Sequence, residues 1–413
     1  MRVSHLAKTD AATGCGQTAT RNGFTHYCPV ISHLAARSKH PSVQIGTSPR
    51  TPLMRCSRIL FTRIPASIYG TVCSPTTVRD VLKQMCERVL LESKGKLPKW
   101  LTAWAGLADE TELLALFRRA FGQDMDPALW RWKYQGLDFY GALVRREGRV
   151  VAFYGGIPRT VSLFGSQATA VQIGDVMVDP GERGILTRRG PFFQAASHYL
   201  QHRVGLRQNF PIAFGFPSQR AFRLGEHLGF YAKVGEIMRI EWPALKAWPS
   251  PLLRVRPLSA SQGPAADRLW LEMAAALSRQ IVGVRNFAYL KHRYLEHPTI
   301  SYRVFMVSNR LSAKPFGIIV VRDEGEVLEL VDVAAPPERL PTLVKIVRRL
   351  AWNLGKPKAY TWITAQYAGL FAGETGTVLP AGIVVPAFLW QQAMPPKEID
   401  GHWWLMSGDT DFH

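Results

Sequence analysis

At 413 residues, with 47% hydrophobic and 20% charged side chains, the chain has the length for two or three domains and the composition of a globular protein rather than a disordered or fibrous one. Its longest apolar runs, such as 316–321 and 381–390, fall short of the roughly 18 residues that a membrane span needs, so no span is expected. The net charge of +20 is unevenly placed: residues 1–90 hold twelve Lys or Arg against three acids, together with all five cysteines, Cys15, Cys28, Cys56, Cys73 and Cys86. These cysteines lack a CxxC pair or metal-like spacing, and the cysteine-free remainder fits a reducing cytoplasm, the expected location.

Residues 1–74 show no sustained period of 2 or 3.6. They read as a disordered leader or as an extension upstream of a later start at Met54 or Met85. An organelle transit peptide is the other reading, although no Arg-rich amphipathic helix opens the chain. Helical period begins over 76–92, where Val78, Val81, Leu82, Met85 and Val89 share a face, and returns over 109–121 with Leu113, Leu114, Phe117 and Phe121. From Phe139 the period becomes that of strands, with turns expected at Glu147-Gly148, around Gly156 to Pro158, and at Gly165-Ser166. A helix over 191–204, a short strand over 210–216, a helix over 218–229 and a strand over 230–242 follow. This order predicts an α/β fold with a mixed, mostly antiparallel sheet flanked by helices.

The plan then recurs. ALWRWKY (128–134) has a counterpart in AYLKHRY (288–294), and DVMVDPGER (175–183) has one in DVAAPPER (332–339). Tyr134 precedes Asp175 by 41 residues and Tyr294 precedes Asp332 by 38, which favours a tandem duplication. Strands over 302–308, 316–322 and 326–334, a helix over 339–355 and a strand over 359–365 continue the second copy. The expected division is a leader, 1–74; a first domain, 75–245, entered through helices over 76–121; and a second, degenerate domain, 246–413.

The copies differ after the shared strand. In the first, Arg183, Gly184, Arg188, Arg189 and Gly190 separate strand from helix, and a glycine-containing turn before an open helix N-terminus is an anion site. The second lacks this loop. A Rossmann fingerprint is excluded because too many elements precede the loop, and a P-loop because Pro191 and Phe192 follow Gly190.

Residues 107–242 resemble a GCN5-related N-acetyltransferase (GNAT) domain. The resemblance rests on VMVDPGERG (176–184) and on PSQRAFRLGEHLGFY (217–231), with Ala221, Leu224, Gly229 and Phe230 at matching places. The second half resembles the same fold in degraded form, and the terminal HWWLMSGDTDFH is similar to the ending of some bacterial tandem members. The resemblance implies acetyl-CoA or another acyl-CoA as donor, with pantetheine along Val176, Met177 and Val178 and pyrophosphate on the 183–190 loop. The reaction implied is direct attack of an amine on the thioester. The loop departs from the family's R-x-x-G-x-G or A, and Gly225 stands where the family often carries a tyrosine acid.

Two residues are candidates for proton transfer. Asp175 reads either as a base or as a carboxylate tied to its neighbourhood, and its recurrence as Asp332 points to the latter. Tyr231 reads either as a replacement acid or as packing. His227 is a surface histidine, and Trp130, Trp132 and Tyr134 read as core or as the wall of an acceptor pocket. The histidines form no HxH or HExxH motif, so no metal is expected. The expected partners are an acyl-CoA and a small-molecule or peptide amine; nucleic acid is the less favoured use of the basic charge. The alternative functions are an aminoacyl or peptidyl transferase of the tandem kind, which uses aminoacyl-tRNA, and a catalytically silent binding protein.

Overall fold

The computed structural model describes residues 99–184, 187–390 and 393–410; the helix expected over 76–92, the leader and the cysteines lie outside the described residues. The described chain opens on a strand that the sequence did not announce, β1 (Leu101–Ala105), followed by α1 (Glu110–Phe121) and α2 (Pro127–Tyr134). Helix α1 carries Glu110 and Glu112 in its first turn and Arg118 and Arg119 in its last, matching its dipole, and Gly122 at φ +75° ends it. Helix α2 begins on Asp126, whose carboxylate accepts the N–H of Ala128, with Pro127 where a missing donor is harmless.

Strands β2 (Gly141–Arg146), β3 (Arg149–Leu163) and β4 (Ser166–Val178) form an antiparallel meander. Helix α3 (Pro191–Arg203) then crosses to β5 (Ala213–Gly215), which pairs parallel with β4, and α4 (Gln219–His227) follows. The second half runs β6 (Tyr231–Pro243), β7 (Leu253–Pro257), α5 (Gly263–Ala276), β8 (Ile281–Gly283) and α6 (Phe287–Leu290), which tightens into a π turn over Lys291–Leu295. It continues as β9 (Arg303–Asn309), β10 (Pro315–Glu324), β11 (Val327–Ala334), α7 (Leu340–Asn353), β12 (Lys358–Thr364), α8 (Ala368–Ala372), β13 (Thr377–Phe388), α9 (Pro396–Ile399) and β14 (Trp403–Trp404).

Two mixed, mostly antiparallel sheets result, each flanked by helices. The first has the order β1-β2-β3-β4-β5, with β8 beside β3 and β14 beside β8. The second has the order β13-β6-β12-β11-β10-β9-β7. Each sheet thus borrows from the other half: β6, which leaves the first copy, pairs with β12 and β13, while β8 and β14 extend the first sheet. In the first sheet, α1 and α2 cover one face with Leu113, Leu116, Phe117 and Trp130 on Leu143, Phe153 and Met177. Helix α3 covers the other with Ala195, Ala196, Tyr199 and Leu200 on Val151 and Val171.

The turn expected around Gly156 to Pro158 is absent, because β3 runs unbroken for 15 residues. Pro158 is tolerated there because its partner Val171 sends its own N–H to Ile212, so that pair makes no ladder bond. On the other edge Pro158 lies in the gap between β2, which stops at Gly155, and β8, which starts at Val161.

The repeated motifs meet in space. Tyr134 Oη donates to Asp175 at 2.9 Å in the first copy, and Tyr294 Oη donates to Asp332 at 2.6 Å in the second. Both aspartates sit at a bulge: Asp175 and Val176 oppose the single residue Tyr154, and Val331 is the extra residue beside Asp332. Asp175 takes φ +48°, a left-handed conformation that asparagine and aspartate tolerate better than most residues. In the second copy Arg285 is fully buried and bonds Asp332 and Asp409, each at 2.7 Å.

Arg285→Ala would leave two carboxylates buried without their cation. The expected cost is about 3–5 kcal/mol, read from the denaturant midpoint. Lys233→Ala, which opens the exposed pair with Glu236, should cost no more than about 1 kcal/mol.

Candidate functional site

Strands β4 and β5 pair only from Val171 to Ile173, after which β4 continues to Val178 with β3 on one edge and no strand on the other. The parting opens a cleft of about 1290 Å³ between the bulge, the start of α3 and the face of α4. The chain stores its conformational cost at the bulge, where buried side chains hold it. Lys133 Nζ lies 2.6 Å from the Asp175 carboxylate, the two side chains being 3% and 6% exposed, and Tyr134 supplies the second bond. Lys133 and Asp175 both line the cleft.

The sequence-predicted donor residues divide. Val176 and Val178 line the cleft. Met177, on the opposite face of the strand as its period of 2 dictates, is buried in the core under α1 and α2, pairs with Phe153 of β3 and does not line the cleft. Gly190 is buried as the N-cap of α3. With Pro191 in the first turn, the amides of Phe192 and Phe193 stand at the helix's open end, and Phe192 lines the cleft. Arg188 and Arg189 are exposed. Gly184 has room for a side chain, since an added Cβ would meet nothing within 4 Å.

Arg183 lines the cleft but is tied to the backbone: Nε donates to Val178 O at 3.1 Å, and a second nitrogen donates to Ala120 O at the end of α1. Asp179 fixes the same turn by accepting from Gly181 N and Arg119 Nε. Burial works to raise the Asp179 carboxyl, but Arg119, the Gly181 N–H and Arg149 together outweigh it and hold the group below the usual range.

Tyr231, at the start of β6, is 6% exposed and lines the cleft with its hydroxyl 3.2 Å from that of Tyr154. Burial pushes it up to about 12. An added Cβ on Gly225 would stand 2.1 Å from a carbon of the Tyr231 ring. The glycine of α4 is therefore required by the tyrosine of β6, whose ring occupies the space over that turn of the helix.

Other cleft residues escaped sequence reasoning. Lys133 was hidden within an aromatic-basic motif. Arg220 and Arg223, one turn apart on α4, line the cleft, and the cap formed by Ser218 Oγ and the Ala221 N–H was the signal that would have placed them on the helix's open end. Ile300 and Phe388 come from the second half and had no local signal. His227 also reaches the cleft, whereas Trp130 is wholly buried and Trp132 stacks on His292 at 4.9 Å. Among the described residues no group of three or more His, Cys, Asp or Glu is close enough to hold a metal, and no helix is long and apolar enough to cross a membrane.

The equivalent parting in the second copy, beyond Leu330 of β11, is filled by the chain itself. Trp403 O accepts from Thr364 Oγ1 and Gln366 Nε2, Ser407 Oγ donates to Val331 O, and Arg293 donates to Gly408 O and Thr410 O. Residues 403–410 are buried throughout. An added Cβ on Gly408 would lie 3.1 Å from the Cβ of Asp332, so this segment sits directly on the aspartate that matches Asp175.

Gly225→Ala should displace the Tyr231 ring. The expected result is a loss of about 1–3 kcal/mol by thermal or denaturant unfolding. Gly225→Ala combined with Tyr231→Ala should recover part of that loss if the two share one space; full additivity would show that they do not.

Residues 105–225 match the model of an acetyltransferase (GNAT) domain. No curated protein matches the chain. Among solved structures, a GCN5-related N-acetyltransferase from Anabaena variabilis is similar at 16% identity and a TM-score of 0.53, covering 70% of this chain and 72% of that one. Another from Kribbella flavida is similar at 16% identity and a TM-score of 0.52, covering 69% and 70%. At such identities the likeness is one of fold: the chain has the GNAT-superfamily fold, laid down in two similarly built domains.

Proposed function

We propose that the protein is an N-acyltransferase that moves an acetyl or other acyl group from acyl-CoA to an amine, with the donor bound in the first copy alone. The observation that carries this reading is the cleft itself: an unpaired strand edge, β4 beyond Ile173, running toward the open N-terminus of α3. In this reading the backbone groups of the Val176 to Val178 stretch that face the cleft bond the pantetheine arm as an added strand would. The pyrophosphate lies on the loop ending at Gly190, where the helix dipole and the Phe192 and Phe193 amides favour an anion and Arg188 and Arg189 add charge. Gly184 gives that loop room, and Arg183, tied to two carbonyls, holds its first turn.

The amine nitrogen attacks the thioester carbonyl, the C–N bond forms and the C–S bond breaks. In this assignment Asp175 takes the proton lost by the amine and Tyr231 gives one to the departing thiolate, completing amide and free CoA. Asp332 makes the same tyrosine bond beneath residues 403–410, and so has no reactant to serve. The donor chemistry is therefore expected once per chain.

Titration calorimetry with acetyl-CoA should give one site per chain, and Gly190→Glu and Arg188→Glu should each weaken it by about tenfold or more through charge repulsion at the phosphates. Absence of binding to the wild-type chain rejects the transferase reading; binding that survives both substitutions rejects the phosphate placement.

Tyr231→Phe should lower kcat by roughly 10²-fold while leaving acetyl-CoA affinity in place. Because burial raises this phenol to about 12, it stays protonated as the acid through neutral and mildly alkaline pH. The wild-type rate should therefore rise with pH as the amine deprotonates and hold level to about pH 10. A fall in rate near pH 8, absent from Tyr231→Phe, would contradict the assignment.

A further inference from the structure

The two most exposed large apolar side chains among the described residues, Trp248 at 95% and Leu311 at 86%, take no part in the cleft. Both stand on loops at one edge of the second sheet. Residues 244–252 carry the chain from β6 to the edge strand β7, and residues 310–314 turn it from β9 to β10. The loops are neighbours, since Leu253 of β7 pairs with Asn309 of β9 and the Arg310 N–H donates to Leu252 O at 2.7 Å. Leu252, itself exposed, lies at that junction. Trp248 precedes it by four residues, so chain reach keeps it within about 14 Å.

The apolar tips are held outward by local bonds. Asn309 Oδ1 accepts the N–H groups of Leu311 and Ser312, each at 2.9 Å, which fixes the turn that carries Leu311. Ser250 Oγ accepts the Leu252 N–H at 3.3 Å, and Pro249 and Pro251 restrict the backbone between Trp248 and Leu252.

Charge on the same loops has one sign. Residues 244–257 and 309–315 hold Lys246, Arg254, Arg256, Arg310 and Lys314 and no acid. All five cations are exposed, and none pairs with a carboxylate among the described residues.

We propose that this edge docks the protein on an anionic phospholipid surface, with Trp248, Leu252 and Leu311 entering the boundary between headgroups and acyl chains and the cations meeting lipid phosphates. That boundary takes an indole, aliphatic side chains and cations together. A second copy of this chain docked edge to edge would set these cations against their equals. A nucleic acid would match the charge and could stack on Trp248, but offers nothing apolar to the two projecting leucines. The surface is independent of the transferase reading.

The test floats the full chain with vesicles of phosphatidylcholine alone and of an equal mixture with phosphatidylglycerol. Binding to the mixture should exceed binding to phosphatidylcholine by about tenfold or more at low salt, and fall as salt rises. The double variant Trp248→Ser/Leu311→Ser and the triple variant Arg254→Glu/Arg310→Glu/Lys314→Glu should each weaken binding by about tenfold or more. Their thermal unfolding should match wild type, because the altered side chains are exposed. Arg207→Glu/Arg279→Glu/Lys397→Glu, an equal change of net charge at exposed positions on other elements, should stay within about twofold of wild type. Absence of vesicle binding, an equal loss in that control, or full binding by the double variant would each overturn the proposal. Single-stranded RNA bound by wild type and released by the triple variant, with vesicles unbound, would assign the edge to nucleic acid instead.

Discussion

The structure depends on a buried carboxylate at a bulge. Asp175 interrupts a 13-residue strand in a left-handed conformation, which an aspartate tolerates but a regular strand does not adopt. Two donors from α2, the ammonium of Lys133 and the hydroxyl of Tyr134, hold it in place. An ion pair so buried contributes little net stability, because desolvation opposes the Coulomb gain. What it supplies is geometry: at the bulge β4 parts from β5 while staying paired with β3, and the edge beyond it faces an open cleft instead of a continued β5.

The second copy shows what the same device does without a cleft. Tyr294 and Asp332 repeat the link, but Arg285 takes the cation's place from a different element and reaches on to Asp409. The C-terminal segment then supplies, from within the chain, the carbonyls and hydroxyls that a bound molecule would otherwise offer to the parted strand edge. Because β14 in that segment pairs with β8, and β8 with β3, the filling of the second parting is also a seam of the first sheet. The two copies are consequently not free to diverge as independent domains would: a change in one strand's register is felt in both cores.

Much of this was legible in sequence. The mixed sheets flanked by helices, the duplication, and the strand and loop at 175–190 followed from period, turn residues and the spacing of Tyr134 from Asp175. That spacing turned out to measure a hydrogen bond. What could not be read were features whose cause lies far along the chain. Pro158 signals a turn locally, yet it sits in a strand because β2 stops short of it and β8, more than 120 residues later, begins beyond it. Gly225 looks like a missing acid until Tyr231 is seen to occupy its space. Sequence also gave no hint that β6 would leave its own sheet, since an amphipathic strand carries no label for its partner.

The same reasoning bears on why the loop of the first copy was lost, or never gained, in the second. A loop able to hold a dianion demands that exposed amides and arginines face solvent when unoccupied. In the second copy that region lies against Pro336 and Pro337, which lead directly into α7, and the parted edge is already satisfied by residues 403–410. Once the edge is filled, glycines and clustered arginines there would add backbone entropy and charge repulsion with no compensating ligand. The missing loop and the closure by the C-terminal segment thus fit together, and a chain that opened the second parting would need both the arginines and a new place for Trp403 to Thr410.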